Sequence, residues 1–391
     1  RFDNDLMRQL SIRQNTTTMA LSAGLKGSTF GDFTWDVHFT HGLNHVNLTT
    51  INNLNTSRLY AALDAVNDPV TGNMVCNVSL TAPGAFPGCV PINLFGQNNA
   101  SQAAQSYVFG NTGWVAANSM DDFAGNLTGT LFQGWAGPIK TAVGLEYRTA
   151  GLKVTSSTPD TFNPQYLRLG PNGDSAPGSY PSSNLAWFKE VQSPGEGHEA
   201  VSEGDVELDA PILKDLPFVE LMSLNAAYRY TSYSTSGEGT HSTFNANTWK
   251  VGLEWSVNDD VRLRMSESRD MRAPTLWDLY QQQEVSSSGI SDPLTHQIGS
   301  ANTVVGGNPN LKPEVSYNYT VGAVLTPTWI PNLTASVDYY HIKINNAIGS
   351  VGGLDPTIFD LCQSTGAPQY CGLVVRPGAY NDPSPGNFPT R

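Results

Sequence analysis

The chain has 391 residues, of which only 14% are charged, and it carries 37 Gly and 25 Pro. Its formal net charge is −13, from 21 basic against 34 acidic residues, which argues against nucleic acid as a partner because phosphate binding relies on Lys and Arg. No run of 18 or more apolar residues is present, so a transmembrane helix is excluded, and the Gly and Pro content suits a turn-rich β protein. The first ten residues, RFDNDLMRQL, show no basic stretch leading into an apolar core, so no signal peptide is visible.

Taken in chain order, period-two alternation predicts ten strands near 18–26, 32–41, 122–132, 138–148, 199–210, 218–230, 248–256, 261–269, 314–325 and 333–344. Each is about nine to thirteen residues, at or above the usual length of soluble strands. The links between them fall into two kinds. Those at 27–31, 133–137, 211–217, 257–260 and 326–332 are short. They alternate with long ones near 42–121, 149–198, 231–247, 270–313 and 345–391. Long structureless loops are uncommon in compact soluble domains, whereas short turns on one side and long loops on the other are the habit of outer-membrane barrels.

The faces read residue by residue. Trp249, Val251, Leu253 and Trp255 share one side of a strand, and Lys250, Gly252, Glu254 and Ser256 the other. Val261, Leu263 and Met265 oppose Arg262, Arg264 and Ser266. Leu224, Ala226, Tyr228 and Tyr230 oppose Asn225, Ala227, Arg229 and Thr231. A soluble sandwich also has one apolar face, but strand length, loop asymmetry and Trp and Tyr near strand ends favour lipid contact. One strand breaks parity. Leu333, Ala335, Val337 and Tyr339 keep one phase while Ile342 and Ile344 take the other, either through a β-bulge near Tyr340-His341 or because the strand has left the bilayer there.

The long links carry their own signals. Leu59, Ala62, Leu63 and Val66 line one face of a short helix over 56–66, with Asn55 or Thr56 as N-cap. Asp355-Pro356 opens another toward Leu361. Four cysteines form two local pairs, Cys76 with Cys89 and Cys362 with Cys371. Their even count and loop surroundings point to two short-range disulfides and an oxidising compartment, against four free thiols in the cytosol. The spacing does not suit metal ligation.

No catalytic constellation emerges, and no cofactor is implied. His38, His41 and His45 suggest a metal cluster, yet His38 and His41 point to opposite faces of a strand. Glu203, Asp205, Glu207 and Asp209 line one face, but same-face residues stand roughly 6.5–7 Å apart, too far for all four to share one ion. A solvated inner wall suits them better. Tyr107, Phe109, Trp114, Trp187, Phe188, Trp277 and Tyr280 supply aromatic contacts in the loops, and Arg148, Lys250, Arg262 and Arg264 face the interior. Of these, Tyr107, Trp114, Trp187, Trp277, Tyr280, Arg262 and Arg264 are the candidate ligand contacts.

The stretches SESRDMRAPTLWDLY (266–280), GGNPNLKPEVSYNY (306–319) and VDYYHIKINNAI (337–348) carry a resemblance. Their order resembles the barrel of TonB-dependent outer-membrane receptors, which pair an Arg-Ala-Pro motif (Arg272, Ala273, Pro274) with an Asn-Pro-x-Leu-x-Pro-Glu segment (Asn308, Pro309, Leu311, Pro313, Glu314). A later Asp-Tyr-Tyr follows (Asp338, Tyr339, Tyr340). Leu63–Gly96 is similar to a cysteine-bearing loop in larger members, and AVGLEYR (142–148) to a strand of the same barrel.

The resemblance implies an all-β, antiparallel up-and-down transmembrane β-barrel, of which 1–391 supplies about 10 of 22 strands, with short periplasmic turns and long outer loops. It also implies a location in the cell outer membrane of a Gram-negative bacterium, with lipid and lipopolysaccharide as surroundings. The plug, the N-terminal segment that engages the TonB energising complex and the closing strands are not seen, so the chain reads as an internal piece of a larger receptor. The implied function is energised uptake of a scarce nutrient, most often a ferric siderophore. An oligosaccharide or other neutral cargo, a passive porin or adhesin barrel, and a secreted carbohydrate-binding β protein are the alternatives.

Overall fold

The computed structural model describes residues 9–96, 99–157, 187–189, 192, 194–281, 284–350 and 356–389. Strands β1 (Ser11–Ser28) and β2 (Thr34–Leu54) open a meander. An outer connection then carries α1 (Thr56–Leu63), β3 (Ala65–Asn67), β4 (Met74–Cys76), α2 (Asn77–Thr81) and α3 (Gln102–Val108). The meander resumes with β5 (Phe109–Gln133), β6 (Pro138–Ser157), β7 (Gly195–Leu216), β8 (Val219–Gly237), β9 (Thr240–Asn258) and β10 (Val261–Arg272). A second connection holds α4 (Leu276–Tyr280) and the hairpin β11 (Glu284–Ser291) and β12 (Ile298–Val305). Beyond it come β13 (Glu314–Leu325), β14 (Ala335–Asn345), α5 (Pro356–Thr365) and α6 (Pro368–Cys371).

Ten strands form one antiparallel sheet in the order β1-β2-β5-β6-β7-β8-β9-β10-β13-β14. All ten expected strands are present, and the sheet is an up-and-down barrel wall that does not close on itself. Strict sequential pairing sends every second connection to the same end. Val261 pairs with Leu325 at one end of β10 and Arg272 with Glu314 at the other, so Asp259 and Asn308 lie at opposite ends, as the link lengths predict.

Two expectations need correction, and one open alternative is decided. The wall strands before β13 run longer than predicted, up to 25 residues, because their outer segments keep pairing after the strict alternation fades, while β13 spans 314–325 as expected and β14 runs 335–345. The segment 231–247 is strand instead of loop: β8 and β9 pair as far as Gly237 and Thr240 around Glu238-Gly239. Both turn residues have positive φ, 49° and 74°, the geometry of a two-residue hairpin turn. No bulge occurs near Tyr340-His341, since β13 and β14 hold one register from Leu325↔Ala335 to Val315↔Asn345. Ile342 and Ile344 simply share the face of Asp338. Most of the expected connection 149–198, and Asp355, lie outside the described residues.

Register makes the two faces continuous. Leu224, Leu253, Met265, Val321 and Tyr339 are successive partners across five strands, and the row beside them on the opposite face is Asn225, Gly252, Ser266, Thr320 and Tyr340. The first face carries Leu21, Leu25, Phe123, Leu145, Tyr147 and Val251, all exposed, and no second sheet covers it among the described residues. A sandwich would bury this face. An uncovered apolar band of this extent matches the lipid-facing belt of a membrane barrel.

The short turns are tightly determined. Phe218 adopts φ 62°, and Trp255 Nε1 donates to its carbonyl at 2.8 Å. Asn258 Oδ1 accepts from the Asp260 and Val261 amides at 3.1 and 2.9 Å, closing an Asx turn. Phe30, Trp135, Phe218 and Trp329 stand exposed at this end, as an interfacial aromatic girdle would.

The long connections fold on themselves. Asn55 caps α1 through its side chain at 2.9 Å, as predicted, and Cys76–Cys89 is bonded. The disulfide lies among Ala61, Val78 and Phe86, beside a second small core of Ala62, Ile92, Ala104 and Val108. Cys362–Cys371 is bonded as well. Phe359 of α5 packs with Ile290 and Ala301 of the β11–β12 hairpin, so two outer connections form one unit. Its polar lock is Arg376, whose guanidinium donates to both Asp292 oxygens at 2.7 and 2.6 Å, with side chains only 6% and 0% exposed.

Two outcomes follow from these loops. Replacing Cys76 and Cys89 by Ser should destabilise the first loop by about 3 kcal/mol in the chain-entropy picture. Limited proteolysis should then cut within 64–96 while the strands stay protected; an unchanged digestion pattern would contradict this. For Asp292, burial alone would raise the carboxyl, but hydrogen bonds from Arg376 and Thr295 outweigh it and hold it at about 2, below its ordinary 3.8. A depressed carboxylate stabilises above its ordinary value and loses that contribution as pH falls toward the folded one. Protection factors for amide exchange at 284–305 and 356–389, referred to the intrinsic rate at each pH, should therefore fall from pH 3.8 down to about 2, and Asp292→Asn should remove roughly 3 kcal/mol of protection at neutral pH by stranding a buried cation.

Candidate functional site: the inner wall and its outer rim

The polar face of the sheet is built by parity. On β5, β6, β7 and β8 it carries Asp122, Glu146, Arg148, Glu199, Glu203, Asp205 and Arg229, all in one phase of the paired register. Arg148 Nη1 lies 2.6 Å from Glu146 Oε1. Arg229 stands 3.7 Å from both Glu203 and Asp205, and the Thr231 hydroxyl donates to Glu203 at 2.9 Å. Asp122 Oδ1 is buried without a hydrogen-bond partner among the described residues. The expected acidic row therefore stands on a polar wall, partly neutralised by arginine. The histidines separate as parity demands: His41 meets Asp121 at 2.7 Å on one face and His38 lies near Asp36 at 3.5 Å on the other. Among the described residues no His, Cys, Asp and Glu cluster suits a metal ion.

The motif segments turn out to bond to one another. Arg272 grips Glu314 through two hydrogen bonds of 2.8 and 2.9 Å, and Glu314 also accepts from the Ile348 amide at 2.6 Å. Two loop roots are thus tied at one carboxylate, a bidentate geometry that lysine could not supply. Toward the short-turn end of the same strand, Arg264 makes a second bidentate pair with Asp338 at 2.8 and 2.6 Å. It reaches across Gly322, the residue paired with both, where a Cβ would strike Asp338. Asn308 donates its amide to the Asp278 carbonyl at 2.8 Å, and Gly307 to Gln281 at 2.8 Å. The spacing of the motifs therefore reflects a bonded loop root.

From that root, Ala273–Trp277 folds over the polar face. Pro274 is fully buried. Thr275 and Asp278 form a reciprocal capping box on α4, a device that fixes a short helix otherwise too brief to persist. Tyr280 is buried and donates to Thr235 at 2.9 Å. The close approach requires glycine beneath it, because a Cβ at Gly197 or Gly237 would meet the Tyr280 ring. The result is a cavity of about 470 Å³ between this strap and strands β5 to β8, lined by Trp114, Leu152, Arg148, Glu199, Tyr233 and Trp277 among others.

The sequence candidates are therefore divided. Trp114 and Trp277 meet at the cavity, and Tyr280 anchors the strap above it. Tyr107 is buried in the first loop's core, beneath Arg58. Trp187 is buried against Gly110. Arg264 is committed to Asp338, and Arg262 pairs in register with Val324 near the short-turn end. Glu199 and Tyr233 were not singled out, because only the fold of 273–277 back onto β6 to β8 brings them to Trp277.

The family described as TonB dependent receptor-like, beta-barrel, matches residues 2–361. No curated protein matches the chain. Among solved structures, the alcaligin outer-membrane receptor FauA from Bordetella pertussis is similar at 12% identity and TM-score 0.43, covering 88% of this chain and 39% of that one. The ferripyoverdine receptor of Pseudomonas aeruginosa is similar at 13% identity and TM-score 0.47, covering 90% and 35%. The RagAB peptide importer, in its 'closed-closed' state, is similar at 12% and 0.47, covering 87% and 31%. The chain thus spans well under half the length of these structures. With the family matched over nearly its whole length, this chain belongs to the TonB-dependent receptor β-barrel family.

Proposed function

We propose that the chain forms part of the wall of an outer-membrane receptor that imports a scarce nutrient with energy delivered through TonB, and that a ferric siderophore is its cargo. The supporting observation is the aromatic cavity on the inner face, set at the loop end of the wall beneath the strap of the Arg-Ala-Pro segment. Aromatic faces of Trp114 and Trp277 suit flat ring systems, and an inward site at the outer rim is where an arriving nutrient first meets the interior. The outward apolar face supports a setting in outer-membrane lipid, and lipopolysaccharide on the outer side belongs to the same reading.

A second cargo class has a specific observation behind it. Aromatic rings stack on sugars as well as on chelating rings, and the inner wall is acidic, so an oligosaccharide or other neutral solute is the alternative. Deletion of the gene should abolish growth under iron limitation when the matching siderophore is the sole iron source, and restoring the gene should recover it. Normal iron uptake together with lost growth on an oligosaccharide would replace the siderophore by the sugar.

A further inference from the structure

The charge around the cavity says more about the ligand than the aromatic rings do. Five carboxylates, those of Asp122, Glu146, Glu199, Glu203 and Asp205, share the polar face of β5 to β7 with the guanidinium of Arg148 and, from β8, that of Arg229. Arg148 lines the cavity yet is engaged by Glu146 at 2.6 Å, and Arg229 is drawn between Glu203 and Asp205. Each cation thus already faces carboxylates, and five carboxylates outnumber two guanidinium groups on this wall. Glu199 also lines the cavity, and among the described residues its carboxylate makes no hydrogen bond or ion pair. A partly desolvated carboxylate beside two indoles attracts a cation or an N–H donor and repels an anion, the more strongly because the site is sheltered from bulk water.

We propose that this cavity selects a ring-bearing ligand whose entering part is cationic or neutral, that Glu199 receives the ligand's ammonium or N–H group while Trp277 and Trp114 cover its ring or chain, and that polyanionic complexes are disfavoured. This rests on the reading of the cavity as a ligand-contact surface, and it narrows the cargo to chelates or solutes without net negative charge. Trp faces also suit an ammonium through cation–π attraction, so the aromatic and acidic components act on the same end of the ligand.

The test uses the full-length receptor purified in detergent and three iron complexes titrated calorimetrically. They are a ferric trihydroxamate bearing a free ammonium, a neutral ferric trihydroxamate and a ferric tris-catecholate. The expected order of affinity is cationic, then neutral, then tris-catecholate. Glu199→Gln should weaken the cationic complex by roughly tenfold, the scale of one charge-assisted hydrogen bond, and the neutral one by clearly less; Glu199→Asp should recover part of the loss. Tighter binding of the tris-catecholate, no binding of the cationic complex, or indifference of that complex to Glu199→Gln would overturn the inference. Trp277→Ala separates the two levels. If it weakens binding while the charge order fails, only the charge selection is wrong; if it changes nothing, the cavity is not a contact surface and the underlying reading falls with it.

Discussion

The constraint on which the rest depends is the obligation to satisfy every backbone N–H and C=O without water. In a bilayer, extended strands can meet it only by continuous pairing with neighbours. Here eight consecutive strands each pair on both sides, in unbroken antiparallel register apart from four local shifts. Pairing fixes register, and register fixes parity. Parity then sends Leu253, Met265 and Val321 to one face and Gly252, Ser266 and Thr320 to the other. A slip of a single residue between two strands would exchange the faces, so the turns at Asn258 and Phe218 matter beyond their size.

With the backbone committed to the sheet, the outer rim must be held by side chains. Of the two bidentate pairs, Arg272 with Glu314 holds the loop end of β10, and Arg264 with Asp338 bridges the same inward face near the short-turn end. They explain why the motif residues stand where they do. Arg272 and Glu314 are direct register partners separated by a connection of some forty residues, so that connection can vary without moving its root. The connection then spends its first residues on a buried proline and a capped turn that reach back over β6 to β8. The cavity exists because the root is rigid and the strap is short.

Much of this was legible in the sequence, for identifiable reasons. Alternation specifies face as well as strand, so the rows of apolar and polar residues could be read directly, and short links with Asn, Asp and Gly marked the turns. Strand ends were less legible: toward the loops apolar and polar residues mix on both faces, the strict alternation vanishes, and β5 continues to 25 residues without a periodic signal. Glu238-Gly239 was hidden for the same reason, a tight turn inside a stretch rich in Ser, Thr and Asn. The cysteine pairs were visible because each closes a short loop. The bonded motif pairs were not, since nothing in a linear reading shows that Arg272 and Glu314, or Arg264 and Asp338, come within hydrogen-bonding distance. Glu199 and Tyr233 were invisible as site residues because the contact that defines them is made by a segment folding across four strands.

The central claim is that this sheet is a barrel wall with lipid on one face and water on the other. Nitroxide labels placed on adjacent positions in the receptor reconstituted in lipid test it most directly, at Leu145 and Glu146, Val251 and Lys250, and Val321 and Thr320. Accessibility to oxygen should be high at Leu145, Val251 and Val321, and accessibility to a water-soluble paramagnetic complex high at Glu146, Lys250 and Thr320. That alternation should repeat on all three strands. Equal exposure of both members of each pair to the aqueous reagent, with no alternation, would contradict the account.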